Sequence, residues 1–208
     1  MKSIMETSLK RIVHLLLLAA LSILTVNAKV ISYPAPKGET LSSDYMVEVD
    51  GVSVPVYMAK TQHHDKKYSI AYFDFSGTVT VKIKSKLSLD HLNILPDKYA
   101  IHPSVNKDIA TFHLNEPCDI SFEPDGCNSP LILFCNELET DIPSKNDPNV
   151  IYFGPGEHNP ENGLIRLGSN QTLYLAGGAV VNAGIEATGD NITMCGRGIL
   201  DGSDWEHN

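Results

Sequence analysis

IRLGSNQTLYLAGGAVVNA (Ile165–Ala183) and IEATGDNITMCGRGILDG (Ile185–Gly202) read as two copies of one unit. With one residue less in the first corner of the second copy, Leu173 falls on Ile192, Leu175 on Met194, Gly177 on Gly196, Val180 on Ile199, Val181 on Leu200 and Asn182 on Asp201, an offset of 19. Each copy holds three short apolar runs separated by Gly and Asn corners. Short strands at a fixed period near twenty predict the coils of a parallel β-helix, where a coil buries its inward side chains only by stacking on the next. Two copies sit below the three or more repeats that such stacks usually need.

The composition around this repeat marks a region of its own. Eleven of the 15 glycines lie between Gly154 and Gly202, and no lysine follows Lys145. Ser144–Asn149, bracketed by Pro143 and containing Pro148, reads as the linker. Residues 146–208 are therefore expected to be the start of a β-helix, truncated after its first coils.

Residues 29–145 follow another grammar, alternation at period two. Tyr45, Val47 and Val49 share one face, Asp50-Gly51 is a tight turn, and Val52, Val54 and Val56 resume the pattern, which predicts a β-hairpin. Ile70–Phe75, a Ser76-Gly77 turn, and the inward Val79, Val81 and Ile83 opposite outward Thr80, Lys82 and Lys84 form a second strand–turn–strand set. Runs at Leu92–Leu95, Thr111–Leu114, Ile120–Glu123 and Leu131–Phe134 complete seven or eight strands. No amphipathic helix interrupts them. An immunoglobulin-like β-sandwich over 29–145 is the expectation, so the fold class is all-β throughout.

Residues 1–28 stand apart from both regions. Lys2, Lys10 and Arg11 precede the apolar run Ile12–Leu24, and Val26-Asn27-Ala28 has the small-residue pattern of a cleavage site. The run is shorter than the roughly 20 residues of a membrane span. A secretory signal peptide is expected, giving a secreted or periplasmic protein with no membrane contact after its removal; a membrane-tethered anchor shares the same charged and apolar features. Losing Lys2, Glu6, Lys10 and Arg11 takes the net charge from −9 to −11. Such an acidic chain is not built to hold nucleic acid through its phosphates.

Cys118, Cys127, Cys135 and Cys195 are even in number, as disulfide-bonded exported proteins often are. Cys118 and Cys127 flank a turn-rich Glu-Pro-Asp-Gly stretch that brings them into question as a pair, with unbonded buried thiols left open by the same spacing. Their intervals lack the close ligand pairs of zinc modules.

The stretch VIYFGPGEH (Val150–His158), followed by LYLAGGAVV (Leu173–Val181) and CGRGILDG (Cys195–Gly202), resembles the opening coils of pectin-lyase-like β-helix glycoside hydrolases, of the polygalacturonase-like or dextranase-like kind. Enzymes similar to the dextranase-like family carry an N-terminal β-sandwich, which matches residues 29–145. The resemblance implies a polysaccharide substrate, no cofactor, and hydrolysis by paired carboxylates, one protonating the glycosidic oxygen and one activating water. It implies that these come from later coils, in Asn-Thr-Asp, Asp-Asp and Gly-His-Gly motifs that are absent from these 208 residues. No catalytic residue is therefore assigned, carbohydrate-binding residues remain unknown, and the expected function is that of the N-terminal portion of a secreted polysaccharide-degrading enzyme, inactive by itself.

Other residues invite chemistry and are better read plainly. Asp201, Asp204, Glu206 and His207 gather beside Trp205, but adjacent groups on one loop seldom give opposed acid–base geometry; Asp201-Gly202 reads as a turn. His63-His64-Asp65 reads as a polar hairpin tip, so no metal is expected. Gly154-Pro155-Gly156 lacks the Gly-Lys-Ser/Thr and helix of a phosphate loop. Asn170 and Asn191 begin glycosylation sequons at expected corners. The alternative function is a secreted carbohydrate-binding or adhesive β-protein without catalysis, for which Tyr33, Tyr57, Tyr68, Tyr72 and Tyr99 are the candidate aromatic strip, against a reading of most as core or rim residues.

Overall fold

Period-two alternation decides the first region. In the computed structural model, which describes residues 28–34, 38–59 and 68–203, it yields eleven strands: β1 (Lys29–Ser32), β2 (Tyr45–Val49), β3 (Val52–Val54), β4 (Tyr57–Met58), β5 (Ser69–Ser76), β6 (Val79–Ser85), β7 (Asn93–Leu95), β8 (Ser104–Asn106), β9 (Ile109–Leu114), β10 (Cys118–Cys127) and β11 (Leu131–Glu137). Residues 1–27 of the expected signal peptide, His63-His64-Asp65 and residues Asp204, Trp205, Glu206 and His207 lie outside the described residues. One sheet runs β1-β5-β11-β10-β7 with β4 also on β5, and the other runs β3-β2-β6-β9-β8. Val47, Val81, Ile83 and Phe112 of one sheet and Phe73, Phe122, Leu131 and Leu133 of the other belong to a single buried cluster. Each such side chain contributes about 1.5–3 kcal/mol by leaving water.

The β2–β3 hairpin turns on Asp50 (φ 46°) and Gly51 (φ 83°), two left-handed residues that give the strand twist a two-residue turn requires. The second strand–turn–strand set is not a hairpin. β5 and β6 belong to different sheets, so Ser76-Gly77 carries the chain across the core rather than back along a ladder.

β5 is buried on both faces. Ala71, Phe73 and Phe75 point into the shared core, leaving Ile70, Tyr72 and Asp74 on the opposite face. Of these, Tyr72 and Asp74 are also buried, because the second region packs over them.

That region consists of β12 (Val150–Phe153), β13 (Gly156–His158), β14 (Leu164–Leu167), β15 (Thr172–Leu175), β16 (Ala179–Asn182), β17 (Gly184–Ala187), β18 (Thr193–Gly196) and β19 (Ile199–Asp201). The chain passes through three parallel sheets in a fixed order: β12-β15-β18, β13-β16-β19 and β14-β17. Ile165, Leu167, Leu173, Leu175, Val181 and Ala183 form its own core. β12 and β13 precede the two copies seen in the sequence, the first of which supplies β14, β15 and β16 and the second β17, β18 and β19.

The register corrects the uniform offset of 19. Val180, Val181 and Asn182 do pair with Ile199, Leu200 and Asp201, and Ile165 pairs with Ile185. Leu173, however, pairs with Met194 and Leu175 with Gly196, an offset of 21. In register, the corner before β18 is one residue longer than the one before β15, not shorter, and the stretch from Gly196 to Ile199 is two residues shorter than that from Leu175 to Val180. Gly196 marks that tightened corner. Its φ is 117°, and a Cβ there would lie 2.0 Å from the Leu175 carbonyl oxygen, which accepts from the N–H groups of both Arg197 and Gly198.

The cysteine pairing needs correction too. Cys118 and Cys127 are the two ends of the extended β10, nine residues apart at about 3.3 Å each, far beyond disulfide reach. The residue opposite Cys118 is Cys135 on β11.

Candidate functional site

The outer face of β5 and β11 meets the coils along a seam, and the polar groups there converge on Asp74. Strand alternation forces this carboxylate out of the first core and into the seam, where it is fully buried. Burying a charge is costly without a partner. Asp74 has two: the Tyr33 hydroxyl donates to Oδ2 at 2.7 Å and Arg197 Nε to Oδ1 at 2.7 Å. Arg197 also donates from Nη2 to the Glu137 carbonyl at 2.9 Å. Burial, and then the Asp74 hydrogen bond, push the Tyr33 phenol above its usual pKa.

Aromatic stacking continues the seam. Tyr72 lies against Tyr33 and Tyr57 at ring separations of 5.5 and 6.0 Å, and its hydroxyl accepts from the Gly178 N–H at 3.3 Å. Gly177 must lack a side chain here, since a Cβ would sit 1.9 Å from the Tyr33 ring. Farther along, Tyr174 donates to both Glu139 oxygens, at 3.1 and 3.2 Å.

Two adjoining clefts open along this seam and share Ile70 and Ile199. The first, about 380 Å³, places Glu39 and Asp201 on one wall system with Tyr57 and Leu200. The second, about 340 Å³, is lined by Tyr72, Phe134, Asn136 and Arg197. Asp201 Oδ1 accepts from the Ser203 N–H at 2.9 Å, which gives this carboxylate a turn-forming role. Asp74 is sealed by its two donors and is out of reach of a sugar.

The chain is similar in fold to a known protein. The solved structure of Dex49A from Penicillium minioluteum matches with a TM-score of 0.62 at 18% identity, over 84% of this chain and 49% of that chain. No family model and no curated protein matches the sequence. The chain thus spans about half the length of Dex49A, and the likeness carries the all-β fold.

Of the aromatic residues singled out in the sequence, Tyr57 and Tyr72 are buried and Tyr33, Tyr68 and Tyr99 half-buried; three of the five stack within the seam rather than forming a surface strip. Gly154-Pro155-Gly156 is a coil corner, its Gly154 carbonyl bonded to His158 Nε2 at 2.7 Å and its Gly156 N–H to the Gly178 carbonyl. Asn170 and Asn191 are left-handed corner residues whose side chains bond each other at 3.2 Å. Among the described residues no three His, Cys, Asp or Glu side chains converge as a metal site, and no helix is long and apolar enough to cross a membrane. Sequence reasoning missed Asp74 and Arg197. The one available signal was a charged residue inside the apolar run Ile70–Phe75.

Proposed function

We propose that the chain is the N-terminal scaffold of a polysaccharide-degrading glycoside hydrolase, exported by a cleaved leader over residues 1–28 to the periplasm or the exterior. In this reading residues 29–145 are a β-sandwich and residues 146–208 are the first coils of a right-handed parallel β-helix. The observation that carries it is the passage of β12 to β19 through three parallel sheets in fixed order, supported by the fold likeness to Dex49A. Two further features agree with it. β18 and β19 are sheet edges among the described residues, and Met194 and Leu200, stacked on Leu173 and Val181, are 56% and 41% exposed, as inward residues of a stack awaiting its next coil would be. Asp74 is held by Tyr33 and Arg197, and Asp201 accepts from the Ser203 N–H; in this reading the acid and base come from later coils.

Reading the coding sequence across codon 208 tests this, together with reducing-end release from dextran, polygalacturonate and rhamnogalacturonan. The expected result is a continuation with further coils and paired aspartates, turnover by that longer product and none by residues 29–208. Turnover by the short chain defeats the scaffold reading, and a continuation without coils defeats the hydrolase reading.

A further inference from the structure

We propose that Cys118 and Cys135 form a cross-strand disulfide under oxidising thiol–disulfide conditions, closing residues 118–135 into a covalent loop across β10 and β11. The two residues are direct register partners in an antiparallel ladder. Such partners have Cα atoms about 4.5–5.5 Å apart, inside the 4.4–6.8 Å range of disulfides. Both side chains face the same side, into the shared core, at 6% and 1% exposure, so their Cβ atoms point the same way. Both thiols are free. Neither remaining cysteine competes: Cys127 lies at the far end of β10, and Cys195 sits on β18 in the other region.

The pair also has a route for reaction. Cys118 forms part of the wall of a recess of about 440 Å³, with Tyr99, His102, Phe112 and Glu116 among its neighbours. The neighbouring Cys135 thiol holds Cys118 below its ordinary pKa against the opposing effect of burial, while Cys118 and burial raise Cys135. Cys118, which lines the recess and is the more exposed of the two, is therefore the attacking thiol. With oxidised glutathione as the oxidant, Cys118 Sγ attacks one glutathione sulfur, the S–S bond breaks, and one glutathione thiolate leaves. Cys135 then loses its proton and attacks Cys118 Sγ in the mixed disulfide, expelling the second glutathione. Two protein thiols are oxidised, two electrons pass to the glutathione disulfide, and the two cysteine protons end on two reduced glutathiones. The inference stands whether or not the hydrolase reading holds.

The test is the C127S/C195S chain, which retains only the core pair. After incubation with oxidised glutathione it should lose the mass of two hydrogens, show no alkylatable thiol when denatured, and recover both thiols in dithiothreitol. Its thermal midpoint should fall by several degrees on reduction. Adding C135S should abolish the loss of two hydrogens and leave a stable glutathione adduct or a free thiol. Two alkylatable thiols, or only glutathione adducts, in the oxidised C127S/C195S chain overturn the proposal, as does a disulfide in the wild-type chain that requires Cys127.

Discussion

Arg197 places its Nε 2.7 Å from Oδ1 of Asp74, a carboxylate with no solvent exposure that lies 123 residues earlier in the chain. This pair joins an interior strand of one region, β5, to the corner before β19 in the other. Breaking a buried pair from one side strands a charge, which costs about 3–5 kcal/mol. Arg197→Met should therefore lower the unfolding free energy by about that amount. Adding Asp74→Asn, which removes the stranded charge, should restore part of it. Urea titration of both single variants and the double variant measures the coupling; strictly additive losses would falsify the pairing.

Gly177 lies under the Tyr33 ring, closer than any side chain allows. Gly177→Ala must push that ring away and disturb both the Tyr33–Asp74 hydrogen bond and the stack on Tyr72, an overpacking loss of about 1–3 kcal/mol. Gly202→Ala, where a Cβ would meet nothing within 4 Å, should leave the melting temperature nearly unchanged. Equal melting temperatures for the two variants would count against the close approach.

Burial raises the phenol pKa values of Tyr33, Tyr45, Tyr57 and Tyr72, with Asp74 adding to the rise at Tyr33 and Asp44 at Tyr45. An unfolded chain releases these protons near pH 10, whereas the folded chain keeps them. Above that pH the native state binds more protons than the unfolded state, so stability falls as pH rises. Below it both states are protonated and this contribution is constant. Melting followed across the alkaline range should show the decline, and Tyr33→Phe should make it shallower; an unchanged slope in that variant removes Tyr33 from the account.

Asn191 has φ 56° and donates to Asn170 Oδ1. Asn191→Ala combines left-handed strain of about 1–2 kcal/mol with loss of the corner hydrogen bond, whereas Asn191→Gly relieves the strain. Alanine is thus expected to melt lower than glycine at this position, and the reverse order would show that the corner does not hold its described conformation.

The alternating valines of β2 and β6 made two facing sheets legible, because one-sided burial writes itself as period two. β5 hid its second face. A strand covered on both sides reads as an unbroken apolar run, and the single Asp74 within it acquires meaning only when Arg197 arrives from far along the chain. The coil repeat was visible in Gly and Asn corners, yet a fixed offset could not anticipate that one corner lengthens while the next shortens, since corner residues carry no stacking pattern. Cys118 and Cys127 looked adjacent because turn residues lie between them. Asp125-Gly126 instead falls within β10, and the strand carries the two sulfurs apart.

The double burial of β5 sets how the molecule can be divided. Cutting the chain near residue 145 follows the change in composition, but it would bare Tyr72 and Asp74 on the middle of a sheet and leave Arg197 without its anion. The two regions are separate in grammar and joint in cooperativity, so an excised first half would be an exposed, sticky slab rather than a free-standing module.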